Sequence, residues 1–293
     1  MAIDSRNPSL VPGAPGEAEI ADYVGGALSA IGLEVDTHEP EPGRKSVVGR
    51  LPGAGGGRSL LLNAHMDTVG VDGMSAPFDA RIEGGRLYGR GAYDMKGSLA
   101  ACLTAVGAIV ESGDRLAGDV LIAAVADEEY ASLGTADVLA RYPVDGAIVT
   151  EPTELGLCLA HKGFVWIEVE TTGRAAHGSR FEEGIDANLR MGRFLGLLAR
   201  LESELRARTP HPLVGPPSLH AATIEGGTGL STYAERCAVK IERRTVPGET
   251  VAGVEAEIEA LLEALRAEDP ALEIRSTIQF ARDPFEADPG SML

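Results

Sequence analysis

His65-Met66-Asp67 directly follows the apolar run Leu60-Leu61-Leu62. Asp94 sits in Gly89-Arg90-Gly91-Ala92-Tyr93-Asp94-Met95-Lys96-Gly97, Glu128-Glu129 follows a second apolar run, and Glu151-Pro152 follows a third. A divalent cation needs several anionic or imidazole ligands held close together. His65 is a good first ligand because a strand fixes its backbone. Asp67, two residues on, lies on the same side of an extended chain and is placed to accept the other imidazole N–H. Asp94, in a glycine-flanked turn before a helix, is an exposed carboxylate able to bridge two cations, and Glu129 and Glu151 add oxygen ligands. Two adjacent glutamates leaving a strand end cannot both aim at one point, so one binds the cation while Glu128 faces the water. Two cations about 3.5–4 Å apart would lower the pKa of a shared water toward about 7. Glu128 would take its proton and hand it to a leaving amine, which is metal-assisted amide hydrolysis. Each cluster alone is a weak signal, since H-x-D and Glu-Glu pairs are common on solvated surfaces. Their joint placement at strand ends of one sheet carries the reading, because that edge is where open α/β sheets build sites.

The elements that must position these groups follow from periodicity. Ile20, Val24, Ala27, Leu28 and Ile31 recur at helical spacing before Gly32. Residues 45–51 and 59–63 read as strands, and 80–90 as a hairpin folded at Gly84-Gly85. Leu99, Cys102, Leu103, Val106, Ile109 and Val110 form one helix face. The continuous apolar run 119–126 predicts a strand buried on both faces, and 146–150 another buried strand. After about residue 162 the pattern changes to alternating strands and two helices, one carrying Phe194, Leu198, Leu201 and Leu205, the other Val254, Ile258, Leu261 and Leu265. The order β-α-β-β-α-β is the ferredoxin-like split. The expected organisation is an α/β domain over 1–161, with 281–293 returning to it, and an inserted α+β domain over 162–280.

Composition narrows the partners. The 293 residues hold 44 acidic and 26 basic side chains, a net charge of −18. That charge repels nucleic acid and anionic lipid, so neither is expected as a partner. Cys102, Cys158 and Cys237 form no C-x-x-C pair and no disulfide framework, which fits a reducing, cytoplasmic setting. No basic leader with an apolar stretch opens the chain, and no run approaches the roughly 20 apolar residues of a membrane span.

The motifs together resemble the M20 metallopeptidase and deacylase family, of the acetylornithine deacetylase and succinyl-diaminopimelate desuccinylase type. The stretches that carry the likeness surround His65, Asp94, Asp127-Glu128-Glu129 and Glu151, and continue in Gly173-Arg174-Ala175-Ala176-His177 and Arg243-Arg244-Thr245-Val246-Pro247. The resemblance implies a zinc-exopeptidase-like catalytic domain with a central mixed sheet, plus the ferredoxin-like part as lid and dimerisation domain. It implies that His65, Asp94 and Glu151 bind one Zn2+, that Asp94 and Glu129 bind the other with a late histidine, and that Co2+ or Mn2+ could substitute. Glu128 becomes the general acid/base and Asp67 the group that orients His65. His177 resembles a lid histidine that reaches a substrate carbonyl, often across a homodimer, and Arg244 an arginine that holds a substrate carboxylate. A surface salt bridge is the rival reading of Arg244. A cis peptide at Asp94–Met95 is implied as well.

The chain departs from the pattern at its ends. Relatives return to the catalytic domain after the lid and gain the late histidine there, whereas this sequence stops at Leu293. The expectation is therefore a truncated form whose second cation is weakly held. The predicted substrate is a small N-acyl amino acid or short peptide. The alternatives are a dipeptidase or carboxypeptidase of the same family, a catalytically impaired fragment, and a non-catalytic binding protein that kept the fold; Glu128 argues against the last, since a binder needs no general base.

Overall fold

A computed structural model describes residues 1–291. The described residues divide into two compact units, 1–156 and 157–291. The division falls at 156/157, ahead of the expected 161/162 boundary.

The first unit runs α1 (Ala18–Ala30), β1 (Glu34–His38), β2 (Ser46–Leu51), β3 (Leu60–His65), β4 (Arg81–Glu83), β5 (Arg86–Tyr88), α2 (Lys96–Ser112), β6 (Val120–Val125), α3 (Leu133–Arg141) and β7 (Gly146–Val149). Five strands form one sheet in the order β1-β2-β6-β3-β7. The pairs β1–β2 and β2–β6 are antiparallel, while β3 is parallel to both β6 and β7, so the sheet is mixed. Burial explains the order. Every residue of β6 is buried, as its unbroken apolar run requires. Ile122 and Ala124 pack with Ile20, Val24 and Leu28 of α1 and Leu99 and Val106 of α2. Leu121, Ala123 and Val125 pack on the other side with Val138 of α3. The strand β7 differs from expectation. It pairs only with β3 among the described residues, and Ile148 and Val149 are 44% and 60% exposed, so it is an edge strand rather than a buried one. The β4–β5 hairpin turns at Gly84 and Gly85, both with positive φ (57° and 74°), which a two-residue turn of this twist demands.

Because β3, β6 and β7 run the same way, their C-terminal ends lie along one sheet edge. The residues just beyond those ends are Asp67, Asp127 to Glu129, and Glu151.

The second unit holds β8 (Ala160–His161), β9 (Gly163–Thr172), α4 (Ala187–Ala207), β10 (Ser218–Gly226), β11 (Arg236–Thr245), α5 (Val251–Glu268), β12 (Glu273–Arg282) and β13 (Phe285–Glu286). Its four-stranded antiparallel sheet has the order β10-β11-β9-β12, the ferredoxin-like arrangement. Alternate residues Val165, Ile167 and Val169 of β9 meet Phe194, Leu198 and Leu205 of α4 and Val254, Ile258, Leu262 and Leu265 of α5 in one core. Asp186 caps α4 by accepting from the Asn188 and Leu189 amides, and Thr250 caps α5 through the Gly253 amide. Phe285 and Glu286 pair with His161 and Ala160, so the described part of 281–293, expected to return to the first unit, groups with the second, while residues 292 and 293 lie outside the described residues. Among the described residues no helix is long and apolar enough to cross a membrane.

Candidate metal centre

His65 ends β3 and is 1% exposed. Its Nδ1 lies 2.9 Å from the Asp67 backbone carbonyl and 3.5 Å from Asp67 Oδ1, so the carbonyl is the nearer acceptor. That contact fixes the proton on Nδ1 and leaves Nε2 facing the carboxylates. From Nε2, Asp94 Oδ1 is 2.9 Å away, Glu151 Oε1 3.6 Å and Glu128 Oε2 3.8 Å. Two groups of possible ligands result, His65 with Glu128 and Glu151, and His65 with Asp94 and Glu129; within each, the donor atoms lie within 4.8 Å of one another. His65 is common to both, whereas the resemblance gave that shared role to Asp94.

The Asp67 carboxylate, expected on the imidazole, is chiefly engaged elsewhere. It accepts the backbone amides of Glu128 (3.0 Å) and Glu129 (3.1 Å) and the side chain of Asn7 (2.8 Å). It therefore holds the turn that presents both glutamates. Asp94 is positioned by the tight turn before α2, which begins at Lys96, and the Asp94–Met95 peptide is cis, as the resemblance implied.

The electrostatics suit a cation. From the protein's own charges alone, burial pushes Glu128 up to about 7, partly opposed by His65 and reinforced by Glu151, Asp67 and Asp94. Burial likewise raises Glu129 to about 7, and it raises Glu151. Burial works against the charge on His65, but the Asp67 and Asp94 carboxylates and the charge of Glu128 outweigh it and raise the imidazole to about 11. The His65 contact holds the Asp94 carboxyl below its ordinary value. Carboxylates crowded this closely resist joint ionisation until a positive charge offsets them. One imidazole nitrogen with several carboxylate oxygens is also a donor set that Zn2+ accepts. The residues present therefore fit a divalent cation.

His177 and Arg244 belong to the second unit. His177 is exposed, with Nδ1 2.9 Å from Ser179 Oγ. Arg244 is half-buried, 3.7 Å from Glu242 and with its guanidinium 5.6 Å from the Phe164 ring centroid, so neighbours of its own strand and of β9 occupy it.

Sequence reasoning missed Asn7, Glu17, Arg44 and the structural role of Asp127, all buried behind the ligands. Burial raises Glu17 to about 7 against the pull of Arg44. No periodic pattern marks these residues.

Residues 61–283 match the model of peptidase family M20/M25/M40. Acetylornithine deacetylase of Vibrio campbellii is 30% identical over 276 residues, which cover 92% of this chain and 71% of that protein. N-formyl-4-amino-5-aminomethyl-2-methylpyrimidine deformylase of Bacillus subtilis is 30% identical over 269 residues, 85% of this chain but 63% of that enzyme, so this chain spans under two thirds of its length. The solved structure of an M20 family metallo-carboxypeptidase from Sulfolobus solfataricus superposes with a TM-score of 0.74 at 18% identity, over 96% of this chain and 77% of that one. A mixed sheet with candidate ligands gathered at its parallel strand ends, and a family match that runs through β3, both glutamates and the second unit, agree in assigning this chain to peptidase family M20/M25/M40.

Proposed function

We propose that this chain hydrolyses the amide bond of N-acyl amino acids with the help of bound Zn2+. The observation that carries the reading is the convergence of Asp94, Glu128 and Glu151 within 4 Å of His65 Nε2, with Glu129 in the same ligand group as His65 and Asp94. His65, Asp94, Glu129 and Glu151 would hold the metal. Once bound, the metal would polarise the scissile carbonyl and acidify a water molecule. Glu128 accepts a proton as water oxygen adds to the carbonyl carbon. It returns that proton to the amide nitrogen as the C–N bond breaks, leaving a carboxylic acid and a free amine. A carboxyl near pH 7 is well matched to both transfers. Asp67 keeps the backbone of Glu128 and Glu129 in place throughout. His177 is assigned to stabilising the oxyanion and Arg244 to the substrate carboxylate, with a homodimer formed through the second unit and a cytoplasmic setting. The first three of these assignments follow the family resemblance, and the cytoplasmic setting follows the sparse, unpaired cysteines.

The names of the relatives favour acyl removal over peptide cleavage. Sequence relatives at 30–32% identity are named acetylornithine deacetylase or a deformylase. The peptidases among the solved structures share 15–18% identity, which speaks for fold alone. The test is steady-state hydrolysis of N-formyl, N-acetyl and N-succinyl amino acids against a dipeptide panel, with Zn2+ and with a chelator. The best N-acyl substrate should exceed the best dipeptide in kcat/KM by more than about tenfold, a difference of about 1.4 kcal/mol in transition-state binding, and chelation should abolish turnover. A dipeptide preference would overturn the substrate class. Absence of turnover on every amide with Zn2+ present would overturn the hydrolase.

A further inference from the structure

Around Asp67, behind the candidate ligands, lies a buried polar cluster whose other members have no part in the steps above. Asn7, Glu17, Asp67 and Asp127 are 0% exposed and Arg44 is 5% exposed. The Asn7 side-chain amide donates both to Asp67 Oδ2 (2.8 Å) and to Asp127 Oδ1 (3.0 Å). Arg44 Nη2 donates to the same Asp127 oxygen (2.7 Å) and to Glu17 Oε1 (2.8 Å), and its Nη1 donates to Ser9 Oγ (3.1 Å). The other Asp127 oxygen accepts the amides of Ala131 (3.2 Å) and Leu133 (3.4 Å). The backbone anchors the segment too, since the Asn7 amide donates to the Thr68 carbonyl (2.8 Å) and the Thr68 amide to the Ser5 carbonyl (3.1 Å).

Asp127 has φ 65°, in the left-handed region that a side chain with a Cβ enters at a cost of about 1–3 kcal/mol. Such a conformation persists only when its surroundings fix it. Here the contacts of Asn7 and Arg44 do so. The result is that the next two amides, of Glu128 and Glu129, both reach the Asp67 carboxylate, and the Asp67 carbonyl in turn orients His65. Among the described residues Asn7 is the one neutral side chain joined to both buried anions, and its two N–H donors are what that place requires.

We propose that Asn7 and Arg44 are positioning residues of the cation site. They lock the Asp127 turn to Asp67, so that His65, Glu128 and Glu129 present their donor atoms together, although neither residue contributes a ligand itself. The inference rests on the metal-site reading above. Asn7→Asp keeps the shape but faces two buried carboxylates with a third. Asn7→Ser keeps a single shorter donor. Arg44→Lys keeps the charge but loses the planar fork that spans Glu17, Asp127 and Ser9.

The test is Zn2+ affinity, measured by competition with a chromophoric chelator, alongside denaturant unfolding of the full chain. Asn7→Asp, Asn7→Ser and Arg44→Lys are compared with Val24→Ala, a cavity variant in the α1 core chosen as a control for lost stability. The expected result is Zn2+ affinity about 10–100-fold weaker in the Asn7 and Arg44 variants, the range typical of groups that orient metal ligands, and unchanged in Val24→Ala. If Asn7→Asp does not fold, the two milder variants give the answer. Wild-type affinity in the folded Asn7 and Arg44 variants would overturn the proposal, as would an equal loss in Val24→Ala, which would reduce the effect to general destabilisation. A wild-type chain that binds no Zn2+ would overturn the metal-site reading itself, and with it this one, a result distinct from both of those.

Discussion

Glu128→Gln is expected to lower kcat for the preferred N-acyl amino acid by about 10²–10⁴-fold while Zn2+ affinity stays close to wild type. The argument starts from burial, which with the nearby carboxylates brings Glu128 to about 7 despite the opposing charge of His65. A group with that affinity both accepts and releases a proton near neutral pH. Glutamine keeps the shape and an acceptor oxygen but carries no exchangeable proton of this kind. The comparison with Glu129→Gln gives the measurement its edge. Glu128 Oε2 lies 3.8 Å from His65 Nε2, close enough to be a ligand instead of a proton carrier, while Glu129 groups with His65 and Asp94. Glu129→Gln should lose Zn2+ affinity first and activity as a consequence. Equal loss of Zn2+ in both variants would make Glu128 a ligand, and full turnover in Glu128→Gln would remove it from the mechanism.

His65→Ala should weaken Zn2+ binding by more than about 100-fold, beyond the range for groups that only orient a ligand. His65 has the largest expected effect because it alone belongs to both ligand groups. A pH signature accompanies it. Burial disfavours the imidazolium, but the carboxylates of Asp67 and Asp94 and the charge of Glu128 win and hold the ring at about 11. Near neutral pH the ring therefore carries a proton that the cation must displace. Binding releases that proton, so affinity rises with pH and falls with acid, by up to about tenfold per unit for each proton displaced. In His65→Ala this part of the slope is lost. Titration calorimetry in two buffers of different ionisation enthalpy reads the protons released. An affinity independent of pH from 6 to 8 (roughly the range below the raised His65 value) would contradict the assignment of His65 as ligand.

Much of the scaffold was legible because it repeats. Ile20, Val24 and Leu28, or Phe194, Leu198, Leu201 and Leu205, recur at helical spacing and are buried. Even so, the stripe on α5 runs through Leu262, with Leu261 only half-buried. Strand β1, Glu34–His38, escaped notice because Val35 is its only strongly apolar residue and it lies at the sheet edge, largely exposed. The candidate ligands His65, Glu129 and Glu151 were legible because each lies at or just beyond an apolar run that forms a strand, and Asp94 because it sits in a glycine-flanked turn before a helix. Their support was not. Asn7 sits in a stretch rich in proline, glycine and serine that reads as loop, and Arg44 in the connection between β1 and β2. Their partners Asp67 and Asp127 are distant in sequence, and pairing at that range leaves no local pattern. Asp67 shows the same limit. Spacing placed it beside His65, whereas only the folded chain reveals that its carboxylate accepts the amides of Glu128 and Glu129.

The measurement that tests the central claim most directly is diffraction from crystals of the Zn2+-loaded chain, recorded on both sides of the zinc absorption edge. The account predicts an anomalous peak bonded to His65 Nε2 and to carboxylate oxygens drawn from Asp94, Glu129 and Glu151. Anomalous density confined to surface carboxylates elsewhere, with nothing bound at His65, would contradict it.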